Sequence, residues 1–105
     1  MSIKKYQKMA SKFAAESKFN LDPCIRMVAA SEELGELAKE VLVATDYGTK
    51  SLETNDKLLE EVGDVLFELL LIADLTGVSA TEAFFFAMGK MSGRVKEKGH
   101  AGSRN

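Results

Sequence analysis

The 105-residue chain has one cysteine, one proline, one histidine and no tryptophan. A lone Cys24 excludes an intramolecular disulfide and a cysteine-based zinc site. It reads as a small, buried or half-buried apolar side chain. The only histidine, His100, lies in a Gly-containing C-terminal stretch, which argues against a Cys–His nucleophilic pair and against a di-iron bundle built on Glu-x-x-His. No apolar run reaches the roughly 20 residues a membrane-spanning helix needs, since the longest, Val65 to Ala73, is interrupted by Glu68. The first residues are basic but lead into no apolar stretch ending at a small-residue cleavage site. A cytoplasmic protein with no membrane partner is therefore expected. A net charge of −2 disfavours a protein that holds nucleic acid by neutralising many phosphates, so no nucleic-acid partner is expected either. If the substrate carries phosphates, a cation must mediate.

What the chain does have is helical periodicity. Ile3, Tyr6, Met9, Ala10 and Phe13 recur at helical spacing and predict a first helix to about Ser17. Asp22-Pro23 is a start signal, a side chain that accepts from free amides followed by a residue suited to the first helical position, and predicts a second helix over 23–44. Residues 45–55 are polar and without a period, the expected flexible connection and the best placed to act as a mobile lid. A third helix is predicted from about Asn55 to Thr76, closed by Gly77 in a left-handed conformation. Ser79-Ala-Thr-Glu82 is a capping-box pattern opening a fourth helix with the apolar stripe Phe84, Met88, Met91 and Val95. The expected fold is all-α, a four-helix bundle-like subunit, with one domain over residues 1–98 and a flexible tail over 99–105.

The chemistry lies in acids embedded among apolar residues. Glu33 and Glu36 are three apart, so their carboxylates leave adjacent turns of the second helix. On a helical wheel Glu33 borders the stripe of Ala30, Leu34, Leu37 and Val41, Glu36 lies about 60° further out, and Glu32, about 100° out, points towards solvent. Glu61 and Asp64 repeat the spacing in the third helix, which runs on into Val65-Leu-Phe-Glu-Leu-Leu-Leu-Ile-Ala73, apolar nearly all round as a central helix would be. Carboxylates in such a place need a positive partner, and within their own helices only Lys57 and Lys39 lie at the right spacing. A divalent cation suits them better. Oxygen ligands without His or Cys favour Mg²⁺ or Mn²⁺, whose shell is usually completed by water and substrate phosphates.

Glu32-Glu33-Leu-Gly-Glu36 followed by Glu61-Val-Gly-Asp64 resembles the Glu-Glu-x-x-Glu and Glu-x-x-Asp signature of the all-alpha nucleoside triphosphate pyrophosphohydrolases. Glu36-Leu-Ala and Asp64-Val-Leu-Phe, with Ala73 and Gly77 downstream, resemble the MazG branch in particular, and the resemblance spans roughly residues 21–94. It implies Glu33, Glu36, Glu61 and Asp64 as magnesium ligands and Glu32 as a more peripheral catalytic acid. It further implies hydrolysis of a nucleoside triphosphate to the monophosphate and pyrophosphate by water attack at the α-phosphorus, in a homodimer or homotetramer. The same signature occurs in phosphoribosyl-ATP and dUTP or dCTP pyrophosphohydrolases. A non-catalytic helical interaction module whose acids bind a structural ion is the rival of a different class.

Lys90, Arg94 and Lys98 form a basic stripe on the fourth helix. Lys90 and Arg94 resemble the family residues that approach the substrate phosphates, although Met91 and Ser92 stand where an Asn commonly accompanies that Lys. Phe84, Phe85 and Phe86 are adjacent on one helix and cannot share one core. At least one of them must meet a partner subunit, a nucleotide base or solvent, and a subunit interface is the expectation.

Overall fold

In the computed structural model, which describes residues 2–100, each helix starts where a side chain caps it. Helices α1 (Ile3–Glu16), α2 (Pro23–Ala44), α3 (Asp56–Leu75) and α4 (Ala80–Lys98) follow in order, with no strand among the described residues. Asp22 accepts from the Cys24 N–H at 2.7 Å, Asn55 from that of Leu58 at 2.9 Å and Ser79 from that of Glu82 at 3.2 Å. Gly77, at φ +73°, closes α3 as expected: its N–H donates to the Asp74 carbonyl and that of Val78 to the Ala73 carbonyl, the paired bonds of a Schellman motif. The all-α class is as expected, while residues 101–105 of the predicted tail lie outside the described residues.

Two expectations need correction. Residues 45–50 are not irregular but form a bonded turn in which the N–H groups of Thr49 and Lys50 donate to the Thr45 carbonyl and that of Gly48 to the Thr45 hydroxyl. Cys24 is exposed. Two residues before Arg26, which faces α3, it stands about 200° round the helix on the opposite side.

Helix α3 is central, with α1 and α2 packed antiparallel against it. Buried Gln7 of α1 ties down the α3–α4 turn, donating to the Val78 carbonyl at 2.9 Å and accepting from the Ala80 N–H at 2.8 Å. Helix α4 then leaves α3 at 103°. It packs near its start on α1 and α3, does not touch α2 and buries none of its residues. No single helix is long and apolar enough to cross a membrane; α3 and α4 pass that test only as a sharply bent pair.

The subunit core is thin, with Leu71 the largest fully buried side chain. Helix α2 turns Arg26, Ala30, Glu33, Leu37 and Glu40 inward and leaves Met27, Leu34 and Val41 exposed. All of Phe84, Phe85, Phe86, Met88, Met91 and Val95 are exposed on α4. The radius of gyration, 16.2 Å, exceeds the roughly 13 Å expected of a compact domain of this length.

Candidate metal centre

The antiparallel pairing of α2 and α3 lays charged residues along a seam. At one end the Arg26 guanidinium lies 3.4 Å from Glu68 Oε1, with both side chains largely buried. At the other, Lys57 Nζ lies 3.0 Å from Glu61 Oε1 and 3.9 Å from Glu60 Oε2, and also feels Glu40 across the helix pair. Between these ends one carboxylate oxygen from each of Glu33, Glu61 and Asp64 lies within 4.8 Å of the others. The Arg26–Glu68 end pairs one cation with one acid, while the rest of the seam sets the single ammonium of Lys57 against several carboxylates.

The middle shows what that imbalance does. Glu61 is buried, 4% exposed, and its Oε2 has no hydrogen-bond partner, although an unpaired buried carboxylate oxygen is costly. The Glu33 carboxyl is pushed above its ordinary range by partial desolvation, by the charges of Asp64, Glu61 and Glu68, and by a hydrogen bond shared with Asp64. The Lys57 ammonium is held above its ordinary value by its bond to Glu61 and by Glu60.

A hard divalent cation would give the unpaired Glu61 oxygen a partner and offset the repulsion that raises Glu33. Its ligand oxygens would lie about 3–4 Å apart at a metal–oxygen distance near 2.1 Å, so adjustment of flexible Glu and Asp side chains would draw this set together. All three side chains offer oxygen only, the donor type of Mg²⁺ or Mn²⁺.

A raised carboxyl favours the folded protein when protonated. The stabilisation is complete below the unfolded value near 4.5 and is lost as pH rises through the folded value. Glu33→Gln removes that dependence. In the metal-free protein, the midpoint temperature of the variant minus that of the wild type is therefore expected to grow from pH 4 to pH 7.5, and Mg²⁺ should shrink the difference. Thermal unfolding followed by circular dichroism measures both.

The predicted residues are thus only partly brought together. Glu33, Glu61 and Asp64 meet, while Glu36 and Glu32 are exposed on α2, outside the trio. Lys90 and Arg94 are exposed on the outer part of α4, and at 1.5 Å per residue along two helices bent by 103° Lys90 stands roughly 20 Å from Asp64. The chain's own fold does not carry them to the acids. Glu68 and Arg26 are the charged neighbours that the sequence reading passed over. A usable signal existed, since Glu68 falls seven residues after Glu61 and so returns to the same face.

The MazG nucleotide pyrophosphohydrolase domain matches residues 25–98, which take in both acidic segments and α4. The Bacillus subtilis (strain 168) protein YpjD is 39% identical over 77 residues, 72% of this chain and 69% of that protein. A crystal structure of YpjD superposes with a TM-score of 0.72 at 31% identity, covering 86% of this chain and 94% of that one. Together with the four helices and the acidic seam, these matches place the chain in the MazG nucleotide pyrophosphohydrolase family, as a hydrolase of nucleotide pyrophosphate bonds.

Proposed function

We propose that the chain hydrolyses nucleoside triphosphates of the cytoplasmic pool to nucleoside monophosphate and pyrophosphate, with Mg²⁺ (or Mn²⁺) held by Glu33, Glu61 and Asp64. The observation that carries the proposal is the buried, unpartnered Glu61 Oε2 within a three-carboxylate cluster, on a chain of this family. Bound there, the cation would neutralise the triphosphate and lower the pKa of the attacking water. Lys57 holds one oxygen of Glu61 and leaves the other buried without a partner. Glu36, exposed one turn beyond Glu33, serves as the fourth ligand implied by the family signature. Glu32 and Glu36 both lie outside the trio, where a carboxylate can accept the proton of the water attacking the α-phosphorus. The products are the monophosphate, which keeps the incoming oxygen, and pyrophosphate as leaving group.

The working form is a homodimer or homotetramer. An α4 with no buried residue, the outward apolar face of α2 and an expanded subunit all support it. In such an assembly the Lys90–Arg94 stripe, too far from the acids of its own chain, meets the phosphates of a nucleotide held at the cation site of a second copy. Sedimentation equilibrium at micromolar concentration is expected to give two or four times the 11.5 kDa subunit mass. A stable monomer would overturn this part of the reading.

The reaction is tested by pyrophosphate and monophosphate release from ribo-, deoxyribo- and modified nucleoside triphosphates, in Mg²⁺, Mn²⁺ or EDTA. Release with either metal and none in EDTA is expected. A folded protein that releases nothing from any triphosphate, dUTP and dCTP included, or from phosphoribosyl-ATP would point instead to a binding module.

A further inference from the structure

A hollow of about 330 Å³ opens directly beside the acids, lined by Phe13, Phe19, Phe67, Glu33, Asp64 and Glu68. Three phenylalanines from three parts of the chain, α1, the α1–α2 turn and α3, meet edge to face there, with ring centroids 5.8, 6.2 and 5.9 Å apart. The Arg26 guanidinium lies over the Phe19 ring, 5.6 Å from its centre, and holds Glu68 Oε1. Glu68 is 7% exposed, and its second oxygen, Oε2, has no partner. The hollow therefore combines an aromatic wall, two of the acids proposed to hold the cation and the side chain of Glu68, whose second oxygen is buried at its edge without a partner.

The geometry points to this hollow as the nucleoside subsite, with Glu68 as the residue that selects nucleobases bearing an exocyclic amino group. The inference rests on the function proposed above. A nucleoside begins one ester oxygen away from the α-phosphorus, so whatever holds that phosphorus fixes where the nucleoside lies. The hollow shares Glu33 and Asp64 with the acidic cluster and is large enough for a small ligand. Aromatic surface stacks on any base and so binds without choosing. The choice falls to Glu68. An ionised carboxylate only accepts, so it pairs with the amino groups of cytosine, adenine or guanine, whereas uracil and thymine present carbonyl oxygens on either side of their single N–H.

Calorimetry of the full chain in Mg²⁺ with CMP, AMP, GMP, UMP and TMP reads the subsite without turnover. The amino-bearing monophosphates are expected to bind at least about tenfold more tightly than UMP and TMP, as one hydrogen bond to a charged group allows. Glu68→Gln, which can donate as well as accept, should bring the five within about threefold of one another. Phe19→Leu should weaken all five about tenfold while leaving their ranking and the Mg²⁺ affinity unchanged. Equal affinities in the wild type, or a preference that survives Glu68→Gln, would overturn the inference. If Glu68→Gln fails to fold, Phe19→Leu decides: unchanged binding sinks the subsite, and a changed oligomeric state beside it makes the aromatic wall a subunit contact. Pyrophosphate release from all triphosphates with no base preference in binding would remove this inference alone. Selective binding without release would remove the turnover reading and keep the subsite.

Discussion

Replacing Glu61 by Gln is expected to lower metal-dependent pyrophosphate release by about 1,000-fold or more while leaving the protein folded. Glu61 contributes the most buried carboxylate of the trio, and the unpartnered oxygen is its own. An amide there keeps the shape and removes the charge. Losing about 4 kcal/mol of transition-state stabilisation by the cation corresponds to about three powers of ten in rate. The effect on the metal-free fold runs the other way in part, because a charge that repels Glu33 and Asp64 is gone while the 3.0 Å bond from Lys57 loses its ionic character. Unfolding in EDTA should therefore differ little between variant and wild type, and the stabilisation that Mg²⁺ gives the wild type should vanish. Calorimetric titration with Mg²⁺ and a pyrophosphate-release assay on the same sample measure the two halves. Wild-type turnover in the variant would remove Glu61 from the chemistry; collapse of the metal-free fold would make its role structural.

The helices were legible because their ends are written in short-range chemistry. Asp22, Ser79 and Gly77 act within a few residues of themselves, and each acts in the structure as its type predicts. Lys18, Asp46 and Tyr47 adopt positive φ with no glycine to announce it, so the finer shape of those turns was not legible. The acids were partly legible. Spacing of three puts Glu61 and Asp64 on one face, and both meet Glu33, but the same spacing leaves Glu36 outside the trio. Which face of α2 turns inward was half legible: Ala30 and Leu37 of its apolar stripe, and Glu33 at the border, do face inward, but the half-buried edge also carries Arg26 and Glu40, and Leu34 and Val41 lie outside. Apolar periodicity records what a helix buries in its working assembly, without separating its own subunit from a neighbour. In the proposed assembly the distance of Lys90 and Arg94 from the acids has the same origin, since a second copy would supply the surface that brings them together.

Arg26→Met should be the most destabilising single change along the seam. The Arg26–Glu68 pair is 14% and 9% exposed, so solvent screens it little, and removing the cation strands a buried carboxylate beside Glu33. Stranding one partner of a buried pair costs about 3–5 kcal/mol. Loss of the guanidinium from above Phe19 adds to this by on the order of 1 kcal/mol. For a domain of this size 3 kcal/mol is about 12–24 °C in midpoint temperature, compared at one fixed protein concentration because the proposed assembly would contribute to stability. The double variant Arg26→Met with Glu68→Leu should recover most of the loss, since apolar replacement of both partners is often neutral or better. Recovery of wild-type stability in the double variant would show that the ion pair is not kept for stability alone. The restored double variant then isolates what the pair does for binding, because it keeps the fold and the phenylalanines while lacking the free Glu68 oxygen. It should bind UMP and CMP alike, with its Mg²⁺ affinity close to wild type. If it still prefers amino-bearing monophosphates, recognition lies elsewhere in the hollow. If the single Arg26→Met variant is as stable as the wild type, the seam is wetter than its exposure indicates and the charge accounting along α2 and α3 fails with it.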